Sequence, residues 1–330
     1  MKTGTILFSI SFFLLFSIST APAEPITTGT LVQEMIDLQR LAEFPNPPYE
    51  TVQFSSFDHR SVLPGGPDWF ANSDGFGGEP IPNFEAVLKE PGEDGIGEYL
   101  ICDVRGPGAI VRVWTALIKG TIRLTLDDAE IPVYEGPAQE FLLRPWDSYI
   151  ERAGLRKSVF DWTFTQRNAG YYPIPFAERC RIVWIGKEIH FYQIQIRVYE
   201  SGTDIQTFSP GDLKQYRDEI QQAADVLSDP DGNWEFQSSR SPEPIAARIT
   251  EGQSQIVFES EGAGAIECLS LRLRARDLDK ALRQSILHVS FDGYPWGQIQ
   301  CPVGDFFGAA PGVNPFNSVP FTVRPDGTMV

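Results

Sequence analysis

One passage of this chain is written twice, and that limits the folds open to it. Gly106-Pro107-Gly108-Ala109-Ile110-Val111-Arg112-Val113-Trp114 makes a glycine turn that enters a strand. A hairpin follows in Thr121 to Leu126, a turn at Asp127-Asp128-Ala129, and a return strand from Ile131 to Tyr134. The passage closes on Gly136-Pro137-Ala138-Gln139-Glu140-Phe141. The glycine turn recurs at Gly262-Ala263-Gly264-Ala265-Ile266, 156 residues after Gly106. The hairpin recurs at Ser285 to Phe291, Asp292-Gly293 and Gly297 to Gln300, and the close at Cys301-Pro302-Val303-Gly304-Asp305-Phe306, where Phe306 lies 165 residues after Phe141. The difference in offset marks an insertion around Ala275 to Arg283. A repeat this long is a duplicated domain, not a solenoid unit.

The strands of each copy are short, and turn residues separate them. Tyr99, Ile101 and Asp103 alternate, as do Ile122, Leu124 and Leu126 against Arg123 and Thr125. Tyr192, Ile194, Ile196 and Val198 form one face of a later strand, with Gln193, Gln195 and Arg197 on the other. Many such strands predict a mainly β chain of tandem jelly-roll sandwiches. The first sandwich is expected over 98–205 and the second over 246–330. A helical connector is expected over 206–245, with Ser209 as its cap, Pro210 in its first turn and an apolar stripe of Leu213, Tyr216, Ile220, Ala223 and Leu227. The second copy reads as incomplete, because far fewer residues follow Phe306 than follow Phe141.

The chain opens with an export signal. Met1-Lys2 is basic, Ile6 to Ile18 is almost wholly apolar, and Ala21-Pro22-Ala23 is a cleavage site. Residues 1–23 are therefore expected to leave, giving an exported chain, periplasmic or extracellular, that begins at Glu24 and has no further membrane segment. Residues 24–97 read as a short helix capped at Thr30, then a long aromatic-rich loop segment. The formal charge of −17 argues against nucleic acid and against an anionic membrane surface. Of Cys102, Cys180, Cys268 and Cys301, buried free thiols are expected, with at least one bridge as the alternative.

Most catalytic signatures are missing. The sequence contains no GxSxG, HExxH or GxxxxGK[ST], and its three histidines (His59, His190, His288) are scattered. No metal or cofactor is expected. Asp127-Asp128 and Asp292-Gly293 read as hairpin turns. Glu140 and Asp305 occupy the same place in the two copies and either accept backbone N–H groups or line a pocket. The loop carrying Ser55, Ser56, Asp58 and Arg60, then Trp69-Phe70, Asn72 and Asp74, is the strongest ligand candidate. Aromatic faces beside carboxylates and a guanidinium suit a sugar, while the plainer reading is a loop pinned by its own hydrogen bonds.

Four motifs together resemble a known family: Ser55-Ser56-Phe57-Asp58-His59-Arg60, Gly106 to Trp114, Tyr172-Pro173-Ile174-Pro175-Phe176, and Pro302-Val303-Gly304-Asp305-Phe306-Phe307-Gly308. They are similar to the domain-of-unknown-function family 2961, also glycoside hydrolase family 172, from about Leu31 to the last residue. The resemblance implies jelly-roll sandwiches, a trimeric or hexameric assembly, and retaining activity on fructofuranosides or arabinofuranosides. It implies a substrate-facing role for Ser55, Ser56, Asp58 and Arg60, with Asp305 and Phe306 in the family's most specific motif. The family's catalytic glutamates lie in Trp-Trp-Gly-Glu-Gly-Asp and Gly-Thr-Gly-Thr-Glu-Asp-Tyr-Phe segments. Neither segment occurs in residues 1–330, and both are expected past Val330. No catalytic residue is therefore assigned, and a non-catalytic carbohydrate-binding or assembly module is the competing reading.

Overall fold

The computed structural model describes residues 24–61, 63–72, 84–116, 118–142, 150, 152–187, 191–233 and 241–330. The expected leader lies outside them. No described helix is long and apolar enough to cross a membrane.

The first unit is a two-sheet antiparallel sandwich. Its strands are β1 (Tyr49–Ser55), β2 (Ala86–Lys89), β3 (Gly97–Arg105), β4 (Gly108–Thr115), β5 (Thr121–Leu126), β6 (Tyr134–Pro137), β7 (Thr165–Gln166), β8 (Ala169–Gly170), β9 (Ile174–Phe176), β10 (Arg179–Gly186) and β11 (Tyr192–Tyr199). One sheet runs β1-β11-β4-β8-β7 with β9 also on β4, and the other runs β2-β3-β10-β5-β6. With the short β2, β7 and β8 set aside, the other strands take the order first, eighth, third, sixth in one sheet. In the other the order is second, seventh, fourth, fifth, which is a jelly roll. The alternation read from the sequence is the alternation of burial: Ile122, Leu124, Leu126, Tyr192, Ile194 and Ile196 all reach the core.

Two expectations about the start of this unit are corrected. The segment 24–97 supplies β1 and β2 to the sandwich, so the sheets begin well before residue 98. The first helix, α1, is Thr28–Glu34, and its cap is Thr27, three residues before the expected Thr30. Thr27 Oγ1 accepts from Thr30 N at 3.1 Å, and Thr30 Oγ1 accepts from Thr27 N at 2.9 Å. Thr30 thus completes the capping box from inside the helix.

Glycine positions are set by two rings. The Trp184 indole donates to Lys119 O at 2.6 Å and lies where a Cβ on Gly186 would sit, 2.5 Å from the ring. The Phe176 ring of β9 does the same to the glycine turn. A Cβ on Gly106 would meet it at 2.5 Å, and one on Gly108 would meet it at 2.5 Å and Arg197 O at 2.7 Å.

The hairpin tip between β5 and β6 is a fastening point. Asp127 and Asp128 have φ of 53° and 52°. The Asp127 carboxylate accepts from the backbone N–H groups of Glu178 (2.7 Å), Arg179 (3.0 Å) and Ala177 (3.4 Å), and from the Thr207 hydroxyl. Hydrogen bonds to a charged acceptor contribute more than neutral ones. Asp127→Ala should therefore destabilise the chain by about 2 kcal/mol, with the measurement a urea midpoint. No change in the midpoint would refute this fastening role.

After Ala138–Leu142 (α2) and the core strands, the chain enters the connector helices α3 (Asp212–Gln215) and α4 (Arg217–Ser228). These are not a spacer. Leu213, Ile220, Ala223, Ala224 and Val226 join the buried core of the sandwich together with Val32 and Ile36. Buried Asp212 ties α1 to the connector by accepting from Thr28 Oγ1 at 2.6 Å and from Ser209 Oγ at 2.9 Å. The expected cap residue Ser209 therefore acts through Asp212, and Gly211 holds the cap position.

The second copy is realised in part. After the irregular, mostly exposed residues 241–270 come β12 (Leu271–Arg272), α5 (Leu278–Gln284), β13 (Ile286–Val289), β14 (Ile299–Pro302) and α6 (Val303–Phe306). Then follow β15 (Phe316–Asn317), β16 (Thr322–Val323) and β17 (Thr328–Met329). The insertion between the copies is α5, capped by Asp277. The two hairpins share one register. Thr121↔Pro137 and Leu124↔Tyr134 become Ile286↔Pro302 and Val289↔Ile299, each 165 residues on. Asp292 repeats the positive φ of Asp127, at 56°. In both copies the closing segment turns into a short helix, α2 or α6, with Glu140 or Asp305 in its first turn.

Candidate functional site

At the end of β1 the chain leaves the sheet through two serines. Ser56 N donates to Tyr192 O at 3.1 Å, and Ser56 Oγ accepts from Tyr192 N at 3.2 Å. This continues the β1–β11 ladder for one more residue and fixes where the following loop starts. Asp58 is 3% exposed. Its carboxylate accepts from Arg60 Nε at 3.0 Å, from Arg60 Nη2 at 2.6 Å and from Arg60 N at 3.1 Å. The pair is a bidentate fork closed over two residues, and Ser61 N donates to Asp58 O at 2.9 Å to complete the turn.

The two ends of the fork differ in their exposure. The Asp58 side chain is 2% exposed and that of Arg60 is 60% exposed. The carboxylate is an anchor, and the guanidinium edge that it does not use is presented to solvent. Hydrogen bonding to Asp58, with a smaller contribution from Asp68, raises the Arg60 pKa above its ordinary value, so the guanidinium stays charged. His59 lies over Phe57, with ring centroids 4.6 Å apart, and its Nε2 is 4.0 Å from Glu85. Ser61 Oγ donates to Trp69 O, which brings the Trp69 turn alongside. Trp69 is 37% exposed and Phe70 92%.

The structure thus gathers Ser55, Ser56, Asp58 and Arg60, and it links Trp69 to them through Ser61. Asn72 is exposed a few residues further along, and Asp74 lies outside the described residues. Asp305 and Phe306 do not join this group. Asp305 is ion-paired with Arg283 of α5. Phe306 packs edge-on against Phe307 at 4.9 Å and against Phe321 at 5.7 Å, in the small core of the second unit. Glu85, facing His59, was missed because it sits outside any motif, and only the pairing of β2 with β3 brings it near.

Other titratable groups have structural roles. Arg179 donates to Asp103 at 2.8 and 2.7 Å and holds its carboxyl below the usual range. Cys102 and Cys180 are buried free thiols, as expected. Cys268 and Cys301 are also free, but Cys268 is exposed, contrary to the expectation of burial. Burial pushes the Cys102 thiol well up, so it is unreactive. No group of three or more His, Cys, Asp or Glu side chains among the described residues could hold a metal. His190 lies outside the described residues, and His288 is exposed on β13.

Comparison with known proteins gives two family matches. The model of the GH172 first β-sandwich domain matches residues 47–216, from just before β1 through the first connector helix. A second, GH172 domain-like, matches residues 241–327. No curated protein matches the chain.

Proposed function

Because the chain belongs to glycoside hydrolase family 172, we propose that it recognises a furanoside at the Ser55–Arg60 end of its first sandwich. The Asp58–Arg60 fork carries this reading. A guanidinium held by two hydrogen bonds to a buried carboxylate, which also accepts from the Arg60 backbone N–H, is preorganised, so binding costs it little further side-chain entropy. Its free N–H groups lie in one plane and can span two neighbouring sugar hydroxyls. Trp69 and Phe57 supply aromatic faces of the kind that pack on the apolar side of a sugar ring.

The ligand is a fructofuranoside or arabinofuranoside unit, and the protein is exported. It works as a trimer or hexamer. The role of residues 1–330 is recognition without hydrolysis. Retaining hydrolysis needs a nucleophile and an acid/base carboxyl about 5–5.5 Å apart. Here Asp58 is committed to Arg60 and Asp305 to Arg283. The two glutamate segments implied by the resemblance do not occur in this sequence, so the chemistry, where it occurs, is carried by other residues.

The test is calorimetric titration of the full chain with methyl α-arabinofuranoside and methyl fructofuranoside, alongside an activity assay. One of the two glycosides should bind, and Arg60→Ala should weaken that binding at least about tenfold. No p-nitrophenyl furanoside should be turned over. Binding indifferent to Arg60 would remove the site. Turnover abolished by Asp58→Asn or Asp305→Asn would remove the claim of recognition without hydrolysis.

A further inference from the structure

The outer face of the β1-β11-β4 sheet is divided in two. At one end α1 covers it: Ile26 and Leu31 pack on Ala109 and Tyr199, with Tyr49 and Val111 at the margin. That cover stops where Glu34 accepts from Arg197 at 2.7 Å, with the Arg197 guanidinium 4.5 Å over the Tyr49 ring. Beyond Arg197 the same face carries two rows of aligned residues, which the strand register fixes. Ser55, Gln193 and Trp114 form the first row, and Gln53, Gln195 and Arg112 the second.

These positions face away from the hydrophobic core: Gln53 is exposed, Arg112, Trp114, Gln193 and Gln195 are half-buried, and Ser55 is buried. The alternate positions Val52, Phe54, Ile194 and Ile196 are the ones that pack inside. Trp114 is half-buried and belongs to none of the three buried clusters formed by the described residues. The rows are also ordered. Gln195 Nε2 donates to Gln53 Oε1 at 3.0 Å, and Arg112 Nη1 donates to Gln193 Oε1 at 3.2 Å. Neighbouring strands are about 4.8 Å apart and same-face neighbours about 7 Å apart. The array is therefore a flat patch of roughly 10 by 7 Å, about the footprint of two sugar rings.

Its composition selects the occupant. The chain has 44 acidic and 27 basic residues, yet these two rows present three amides, an indole and one guanidinium, with no carboxylate, and Ser55 at the end of the first row is buried. Such a patch has nothing to attract a basic partner. Its amides and guanidinium offer planar donors and acceptors to vicinal hydroxyls, and the indole offers a stacking face. It is continuous with the loop site, since Ser55 ends the first row and begins the Ser55–Arg60 segment. We propose that this face is an extended glycan-binding platform, which holds the neutral oligosaccharide units beyond the one gripped at the Asp58–Arg60 fork. Trp114 stacks on a ring, while Gln53, Gln193, Gln195 and Arg112 bind hydroxyls. This assignment rests on the proposed function for its furanoside specificity, but not for the existence of the platform.

The full chain is titrated with methyl α-arabinofuranoside, with α-1,5-linked arabinohexaose, and with xylohexaose as a pyranose control. Arabinohexaose should bind at least about tenfold more tightly than the methyl glycoside. Trp114→Ala and Gln195→Ala, each checked for an unchanged thermal midpoint, should bring that ratio to about one, and Trp114→Phe should keep most of it. A ratio unaltered in both alanine variants overturns the platform and leaves the loop site standing. Trp114-dependent hexasaccharide binding with no effect of Arg60→Ala supports the platform and overturns the loop site. Failure of both hexasaccharides to bind overturns the platform.

Discussion

Gly108→Ala should destabilise the first sandwich by about 3 kcal/mol, whereas Gly264→Ala, its counterpart in the second copy, should cost nothing. A Cβ on Gly108 would lie 2.7 Å from Arg197 O and 2.5 Å from the Phe176 ring. The carbonyl belongs to the central strand β11 and cannot retreat without breaking its ladder to β4. The ring is fully buried and has no room to turn. The cost is overpacking in a close-packed interior. Around Gly264 nothing lies within 4 Å. Alanine there removes unfolded-state freedom without a clash and should be neutral, or stabilising by up to about 1 kcal/mol. Urea denaturation followed by tryptophan fluorescence separates the two. Equal losses at both positions would mean that the copies are packed alike.

Amide hydrogen exchange should differ between the copies by a larger factor still. Residues 241–270 have no strand pairing and are exposed almost throughout. They include the counterparts of β3 and β4, which in the first copy pair with β10, β11 and β9. Protection in β4, β10 and β11 should exceed that of 253–270 by on the order of a thousandfold or more. The hairpin β13–β14, with the small core of Leu282, Val303, Phe307, Ala309, Val323 and Met329, should fall between them. Ile256, Val257, Phe258 and Ile266 lie exposed on the unpaired stretch. Unpaired strand-forming segments with apolar side chains template further pairing, so the chain should also self-associate as its concentration rises. Slow exchange across 253–270 in a monomer would contradict this view of the second copy.

The parts of the fold legible in the sequence were those governed by local rules. The alternation in β3, β5 and β11, the turns at Asp127 and Asp292, and the doubled hairpin could all be read from the sequence alone. β1 was missed although its pattern is clean. Val52 and Phe54 alternate with Thr51, Gln53 and Ser55, but the strand is short and follows the prolines of Asn46-Pro47-Pro48. The helix cap was placed one turn late, because Thr27 and Thr30 both have capping side chains and only the backbone decides which of them lies outside the helix. For the site, the motif marked Ser55, Ser56, Asp58 and Arg60. It could not show that Asp58 is buried and Arg60 exposed, nor that Glu85 and Trp69 come alongside. Gln193 and Gln195 were recognised as one strand face, but register alone aligned them with Trp114 and Arg112.

The duplication shows where the division falls. The sequence by itself determined that the β5–β6 and β13–β14 hairpins form with the same register, because each strand meets its partner across a short turn. Loop closure over so few residues costs little, and the turn residues set the register. Tertiary structure alone decided the fate of the other repeated strands. In the jelly roll, β3 neighbours β10, and β4 lies between β11 and β9, all of them distant in the chain. A glycine turn and an apolar alternation are present in both copies. They become strands only where those distant partners supply backbone hydrogen bonds and a Phe176 ring to pack against. In the second copy no described strand pairs with residues 253–270, and the same sequence signal stays irregular and exposed.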